Sequence, residues 1–448
     1  MVTEWPVSTV AQLQNEGVLL VEDGNHGEYR PRREEFGNGA VAFIRAADMA
    51  GGVVLFDAAD RINESALRRL RKGIGRGGDI LFSHKGTVGK LALTALDAPP
   101  FVCSPQTTFW RVLDETRLDR HFLYYFMRSR AFQEQWQARK GETDMADYVS
   151  LSAQRQLSVA VPPIRVQRTI GGVLGALDEK IHVNRRMNQT LVASATALFK
   201  AWFVDFEPVT AKAAGRKPAG LGGNVAAWFP DKFVDSELGP VPVSWKAGRF
   251  SELVKIHGGG TPKTSVPGYW RGEIPWFSVV DTPAAGEVFV LDTEKGITEK
   301  GLRESAAKLL ETGTTIVTAR GTVGNLALVG TPMAMNQSCY GLSGRPGYGP
   351  FFVYYSTAEL VEELRQRAHG SVFDTITRST FDSVRIPIPP SGIASGFDRQ
   401  VGPLLERIKA NVQECRTLAA LRDTLLPKLF SGEVRLRGAD RMLEWAGA

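Results

Sequence analysis

Cysteine is scarce in this chain: Cys103, Cys339 and Cys415 are the only three in 448 residues, far apart and outside any Cys-x-x-Cys spacing. That excludes a disulfide framework or a thiolate zinc site as an organising device and fits a reducing cytoplasm. Long apolar runs are missing too. No stretch approaches the about 18 uninterrupted apolar residues of a membrane span. The opening Met-Val-Thr-Glu-Trp-Pro lacks a basic segment followed by an apolar one, so neither export nor membrane insertion is expected.

Signatures of catalysis are absent as well. The six histidines stand in no ligand spacing, so no metal is expected. Gly-Thr-Val-Gly occurs twice, but without the Gly-Lys-Ser/Thr ending that grips nucleotide phosphates and magnesium. Gly258-Gly259-Gly260 runs into Thr261-Pro262-Lys263 rather than into a helix, which rules out a dinucleotide fingerprint. Each Pro-Pro pair follows Ala98, Val161 or Ile388, not the Asn or Asp with which an adenine methyltransferase holds an extruded base. The chain is therefore read as non-catalytic, with no cofactor of its own.

What is present is an ordinary soluble composition, 43% hydrophobic and 23% charged, with a formal net charge of +6. Such a balance supports real cores and mildly favours an acidic partner such as nucleic acid. The informative feature is a repeat. Residues 76–93 read RGGDILFSHKGTVGKLAL and residues 311–328 read ETGTTIVTARGTVGNLAL. The correspondence extends from Trp5 and Leu13, opposite Trp245 and Leu253, through Gln106 opposite Gln337 and Asp147 opposite Asp374, to Val161-Pro162-Pro163 opposite Ile388-Pro389-Pro390. A duplicated long unit constrains architecture more than any single motif.

A helical tract follows each Pro-Pro. Ile170, Leu174, Leu177, Ile181, Asn184, Asn188, Leu191, Ala195, Leu198 and Trp202 step by four and three, as a heptad seam does. Phe397, Val401, Leu404, Ile408, Asn411, Cys415, Leu418, Arg422, Leu425 and Leu429 repeat the pattern. Antiparallel pairing about a pseudo-twofold would set Asn188 against Asn411, a polar layer that fixes register. The predicted fold class is α+β: two similar globular domains separated by two long antiparallel coiled-coil helices. The limits are a first globe over 1–163, a helix over 164–207, a linker over 208–236, a second globe over 237–390 and a second helix over 391–434. The linker, rich in Ala, Gly, Lys and Pro, reads as a flexible surface connection and hinge.

For contact with DNA, the repeated turn offers a cation before Gly-Thr-Val-Gly, Lys85 or Arg320, with Ser83 or Thr318 two residues earlier and Thr87 or Thr322 just after. A cation, hydroxyls and free backbone N–H groups suit phosphates or base edges, although a plain hairpin turn explains the glycines equally. Gln106 and Gln337 could read adenine or satisfy loop backbone. Arg32, Arg33, Lys263 and Arg271 lie in loops that differ between the copies, where different sequences could be read.

Several strings carry a resemblance: GGGTPKTSVPGYWRGEIPWFSVVD at 258–281, LFKAWFVDFEPV at 198–209, LGPVPVSWKAGRF at 238–250 and LLPKLFSGEVRL at 425–436. In these the chain resembles the specificity subunits of type I restriction-modification enzymes, over nearly its whole length. DGNHGEYRPRREEF at 23–36 looks like an alternative opening that some of these subunits use. The resemblance implies that each globe is a DNA target recognition domain, that the helices are conserved spacers, and that a bipartite site with an unspecified gap is read on double-stranded DNA. It implies two methyltransferase subunits using S-adenosylmethionine and separate motor subunits using ATP and Mg. One departure is His84-Lys85, where an Arg is commoner before Gly-Thr-Val-Gly. A modification-only system, or an orphan interaction protein, is the alternative.

Overall fold

The computed structural model describes residues 5–143, 146–367 and 375–434. Asp374, paired above with Asp147, lies outside the described residues. The chain forms two compact units, Met1–Glu179 with Leu418–Ala448, and Lys180–Thr417. Each contains a mixed α+β globe and part of both long helices, Ile164–Phe203 and Ser391–Phe430. The unit boundaries thus cross the helices instead of falling at their ends.

In the first unit, strands Leu19–Asp23, Thr107–Val112, Ile80–Ser83 and Leu91–Leu93 form one antiparallel sheet in that spatial order. The second unit repeats it with Val254–Gly258, Cys339–Gly344, Thr315–Thr318 and Leu326–Val329, and adds Phe289–Val290 in parallel. These central strands read as apolar runs because both faces are covered, and Ile80, Leu81 and Phe82, like Ile316 and Val317, are fully buried. A smaller sheet in each unit contains one parallel pair, Phe36–Ile44 with Phe101–Cys103 and Trp270–Phe277 with Ala334–Met335. Each globe is closed start to end: Val7–Thr9 pairs with Ser158–Ala160, and Lys246–Arg249 with Arg385–Ile388.

After each closure the chain enters its long helix, and that helix docks on the globe it has just left. In the first unit, Asp119 caps the helix Arg120–Arg128, accepting from Phe122 N at 2.8 Å. Gly171 of the long helix passes so close that a Cβ there would lie 2.8 Å from the Asp119 carboxylate. The second unit inverts this arrangement. Its matching helix begins at Pro350 after Gly349, and the capping carboxylate comes from Asp398 on the long helix, accepting from Phe352 N at 2.7 Å and Phe351 N at 3.3 Å. A Cβ on Gly349 would fall 1.9 Å from Asp398 Oδ2. Aspartate and glycine have exchanged places across one joint.

The long helices run antiparallel within each unit. In the second, Asn411 Nδ2 donates to Asn188 Oδ1 at 2.8 Å, Asn184 Nδ2 to Glu414 Oε2 at 2.8 Å, and Cys415 Sγ to the Ile181 carbonyl at 3.7 Å. In the first, Asp178 accepts from Tyr125 Oη at 2.7 Å, from Arg128 at 3.1 Å and from Arg422. This explains an arginine at an otherwise apolar seam position. Three seam assignments shift by one residue: in two of them, Leu405 and Phe199 are buried, whereas Leu404 and Leu198 are partly exposed. Leu425 likewise yields to Leu426. These positions pack against the globes as well as the partner helix, and an α-helix of 3.6 residues per turn drifts from a 3.5 repeat.

The segment expected to be a flexible linker is folded. It contains the helix Glu207–Ala213, the short helix Gly223–Ala226 and the strand Phe233–Ser236, and Val209 and Phe229 are buried in the core of the second unit. Trp202 and Phe229 meet edge to face at 5.0 Å. Leu221, Val225, Trp228 and Phe233 pack against the same core, so apolar anchors spread along the stretch hold it despite its Gly, Lys and Pro.

Candidate nucleic-acid interface

The repeated turn joins strand Ile80–Ser83 to Leu91–Leu93 in the first unit and Thr315–Thr318 to Leu326–Val329 in the second. Its geometry is set by the hydroxyl at the end of the incoming strand. Ser83 Oγ accepts from Lys90 N at 2.8 Å, and Thr318 Oγ1 accepts from Asn325 N at 2.9 Å. Thr318 also donates to the Thr322 carbonyl. Both residues are fully buried, which corrects their expected placement against DNA: their hydroxyls hold the turn from inside.

Gly86 and Gly321, at φ 78° and 77°, make the left-handed step that follows the cation. At Gly89 and Gly324 a second reason for glycine applies, since a Cβ would meet Trp136 at 2.8 Å and Val361 at 2.6 Å. The result is a tight loop braced from behind by a helix. Lys85, Thr87, Arg320 and Thr322 are exposed on it.

The backbone of each cation is clamped from one side. Lys85 bridges to Tyr148 and Arg320 to Thr375, while Val149 N donates to the His84 carbonyl at 2.8 Å and Ile376 N to the Ala319 carbonyl at 3.0 Å. Neither cation forms an ion pair among the described residues. His84 itself points inward. Its Nδ1 lies 3.2 Å from the Val149 carbonyl, and burial pushes the imidazole below its usual range, against the opposing effect of that hydrogen bond.

Gln106 and Gln337 both sit exposed on the turn beside this loop, but they are not equivalent. Ser83 pairs with Thr107 and Thr318 with Cys339, so Gln106 corresponds to Ser338 and Gln337 to Pro105. The expected match is one residue out of register. Gln106 lies over the loop, its amide nitrogen 4.0 Å from where a Cβ on Gly86 would be, and Gln337 accepts from the Thr261 hydroxyl. Lys263 is exposed two residues further on, its carbonyl accepting from Trp270 Nε1 at 3.3 Å. In the second unit, therefore, the Gly258–Lys263 segment, the Gln337 turn and the Arg320 loop share one end of the sheet. In the first, Gly24 N donates to the Thr107 carbonyl at 3.3 Å, which brings residues 24–26 to the Gln106 turn and the Lys85 loop.

Sequence reasoning missed a further group of cations. His257 is hydrogen-bonded to Ser343 at 2.8 Å, and its pKa is lowered by burial and then by Lys255, Lys308 and Arg378, with Glu311 opposing. These residues come from three separate elements and a loop, so no local pattern announces them. Among the described residues no group of His, Cys, Asp and Glu is placed to hold a metal, and no helix is long and apolar enough to cross a membrane.

Comparison with known proteins gives a consistent result. A family model described as the type I restriction modification DNA specificity domain matches residues 20–193 and 242–412, one match for each copy of the repeat. The chain is 25% identical over 444 residues to the type I restriction enzyme HindI specificity subunit of Haemophilus influenzae, covering 88% of this chain and 94% of the relative. It is 29% identical over 160 residues to the MjaIX specificity subunit of Methanocaldococcus jannaschii, covering 35% of this chain and 37% of the relative. Among solved structures, the type I restriction-modification S subunit from M. genitalium shares the fold, with a TM-score of 0.54, 16% identity, and coverage of 95% of this chain and 96% of that one.

Proposed function

The chain belongs to the type I restriction modification DNA specificity family, and from that premise we propose that its two units each read one half of a bipartite duplex site. It is a specificity subunit: it recognises DNA and supplies no reaction centre. Adenine-N6 methylation with S-adenosylmethionine falls to two methyltransferase subunits, and ATP- and Mg-dependent translocation and cleavage fall to motor subunits. Its place of action is the cytoplasm, where the DNA is.

The observation that carries this reading is the braced turn present in both units. Each presents one exposed cation, Lys85 or Arg320, and one exposed threonine, Thr87 or Thr322, on a loop whose glycines permit a tight turn and which a buried hydroxyl and a bracing helix hold in place. A rigid loop carrying few donors suits direct readout, because little ordering entropy is lost on contact. Arg320 can engage a guanine edge with two hydrogen bonds, whereas Lys85 acts as a point charge. The two half-sites are therefore read by unlike chemistry on a common frame.

The test is a genome-wide map of N6-methyladenine in the source strain and in the same strain lacking only this gene. Loss of one bipartite motif is the expected result and gives the sequence read. An unchanged map in a strain whose methyltransferase partner is expressed overturns the reading.

A further inference from the structure

The two units share their main sheet but differ sharply along its edge strand. In the second unit that strand is Val254–Gly258, with Lys255 and His257 on one face beside Ser343. Arg378, at the start of the helix Arg378–Ser383, reaches over its end: the guanidinium Nη2 lies 3.9 Å from where a Cβ on Gly258 would be. Lys308 approaches from the loop before Leu310, and Lys255, Lys308 and Arg378 all bear electrostatically on His257.

All three of these cations are exposed, and none forms an ion pair among the described residues. Glu311 opposes them. The cluster also adjoins the reading loop. Thr375, which bridges to Arg320, is three residues before Arg378, and Gly258 leads directly into the Gly259–Lys263 segment.

The first unit supplies an internal comparison. Strand registers place Leu20 opposite Lys255, Glu22 opposite His257, and Gly73 opposite Lys308. The segment 149–151, which repeats 376–378, places Leu151 opposite Arg378. There Glu22 accepts from the Gly73 backbone N–H. The same fold is thus built without a single cation at these positions.

Lysine on an edge strand can serve to block strand-to-strand aggregation. That explanation reaches Lys255 only. The first unit's edge strand does without it, and Lys308 and Arg378 stand on other elements. Gathering three cations that form no ion pair among the described residues around a half-buried histidine is unfavourable within the chain, so an anionic partner is the chemistry that would offset it.

We propose that Lys255, Lys308 and Arg378, grouped around His257, form a strip on the second unit that grips the phosphate backbone of duplex DNA beside the reading loop, and that the first unit has no counterpart. The proposal rests on the DNA-reading function above. It makes the two recognition units unequal: the second supplies more of the sequence-independent attraction, and the first depends more heavily on its reading loops.

The experiment measures binding of the full chain to a fluorescent duplex lacking the target site, over a range of salt concentrations. The variant K255L/R378L carries the residues the first unit already has. It is expected to lower the slope of log K against log salt by about two, close to one per phosphate contact removed. K255Q/R378Q, which keeps polar side chains, is expected to show the same loss and covers the case in which the leucine variant folds poorly. K217Q/K232Q removes the same formal charge from two exposed lysines outside the strip and is expected to leave the slope unchanged.

Equal slopes for the wild type and both strip variants overturn the strip while leaving the DNA-reading function intact. An equal fall in K217Q/K232Q overturns it too, because net charge then explains the effect. If the wild-type chain binds no duplex at all, the DNA-reading function itself fails, and the strip with it.

Discussion

Asn411 and Asn188 meet in the interior of the second unit, Nδ2 to Oδ1 at 2.8 Å, with each residue only 1% exposed. Asn411→Ala strands a buried amide and is expected to cost about 1–3 kcal/mol in urea unfolding. Replacing both with leucine is expected to recover that stability and to admit slipped helix pairings, visible as broadened NMR signals from seam residues. A double variant as unstable as the single one would show that the pair does more than set register.

This pairing was legible in the sequence because two independent regularities converged on it: the heptad spacing placed both asparagines on the seam, and the repeat implied the pseudo-twofold that brings them together. The choice of Leu405 over Leu404 was not legible, since both are leucines and only the surface offered by the globe decides between them. The folded linker was hidden for a different reason: its anchors, Val209, Leu221, Val225, Phe229 and Phe233, are scattered among Ala, Gly, Lys and Pro without helical or strand periodicity. Residue identity misled at Gln106 and Gln337, where the strand register matches each glutamine to a different neighbour. The cations around His257 come together from positions 255, 308 and 378, a distance no local pattern spans.

Asp398 should make the second unit sensitive to pH. Burial raises its carboxyl to about 6, although the Phe352 and Phe351 N–H groups work the other way. The folded state therefore holds this proton more tightly than the unfolded chain, whose ordinary value is 3.8. This contribution is greatest below about pH 4 and is lost as pH rises through about 6, with a total on the order of 3 kcal/mol. Asp398→Asn keeps an acceptor for Phe352 N and is expected to flatten that part of the profile, as followed by thermal unfolding from pH 4 to 7. A profile unchanged by the substitution would place the titrating group elsewhere.

Asp178 holds Tyr125, Arg128 and Arg422 together in the first unit. Asp178→Ala removes the shared acceptor and leaves two guanidinium groups facing each other. Because these side chains keep some contact with solvent, the expected loss is about 2–3 kcal/mol rather than the full figure for a sealed ion pair. Adding Arg422→Leu should restore part of it, since position 422 then becomes an ordinary apolar seam residue. A double variant no more stable than Asp178→Ala would argue against charge repulsion as the main cost.

The two reading loops are expected to fail differently. Arg320→Ala should cost about 1–3 kcal/mol on the target and relax one position of the methylated motif. Lys85→Ala should weaken binding alike on target and non-target duplexes and reduce the salt slope by about one. Motif mapping of both variant strains separates the outcomes; a motif relaxed by Lys85→Ala and left intact by Arg320→Ala would reverse the assigned roles.

The exchange of aspartate and glycine across the helix joint bears on how such a chain can be recombined. A chimera that placed the first globe on the second long helix would bring Asp119 against Asp398, two carboxylates in a space that admits one. The reciprocal chimera would set Gly349 against Gly171 and leave a helix start with no carboxylate at all. A crossover placed at the Pro-Pro boundary therefore fails in both directions. One placed beyond the first turns of the long helix carries globe and cap together, which makes the heritable module of this protein a globe with the root of its own helix attached.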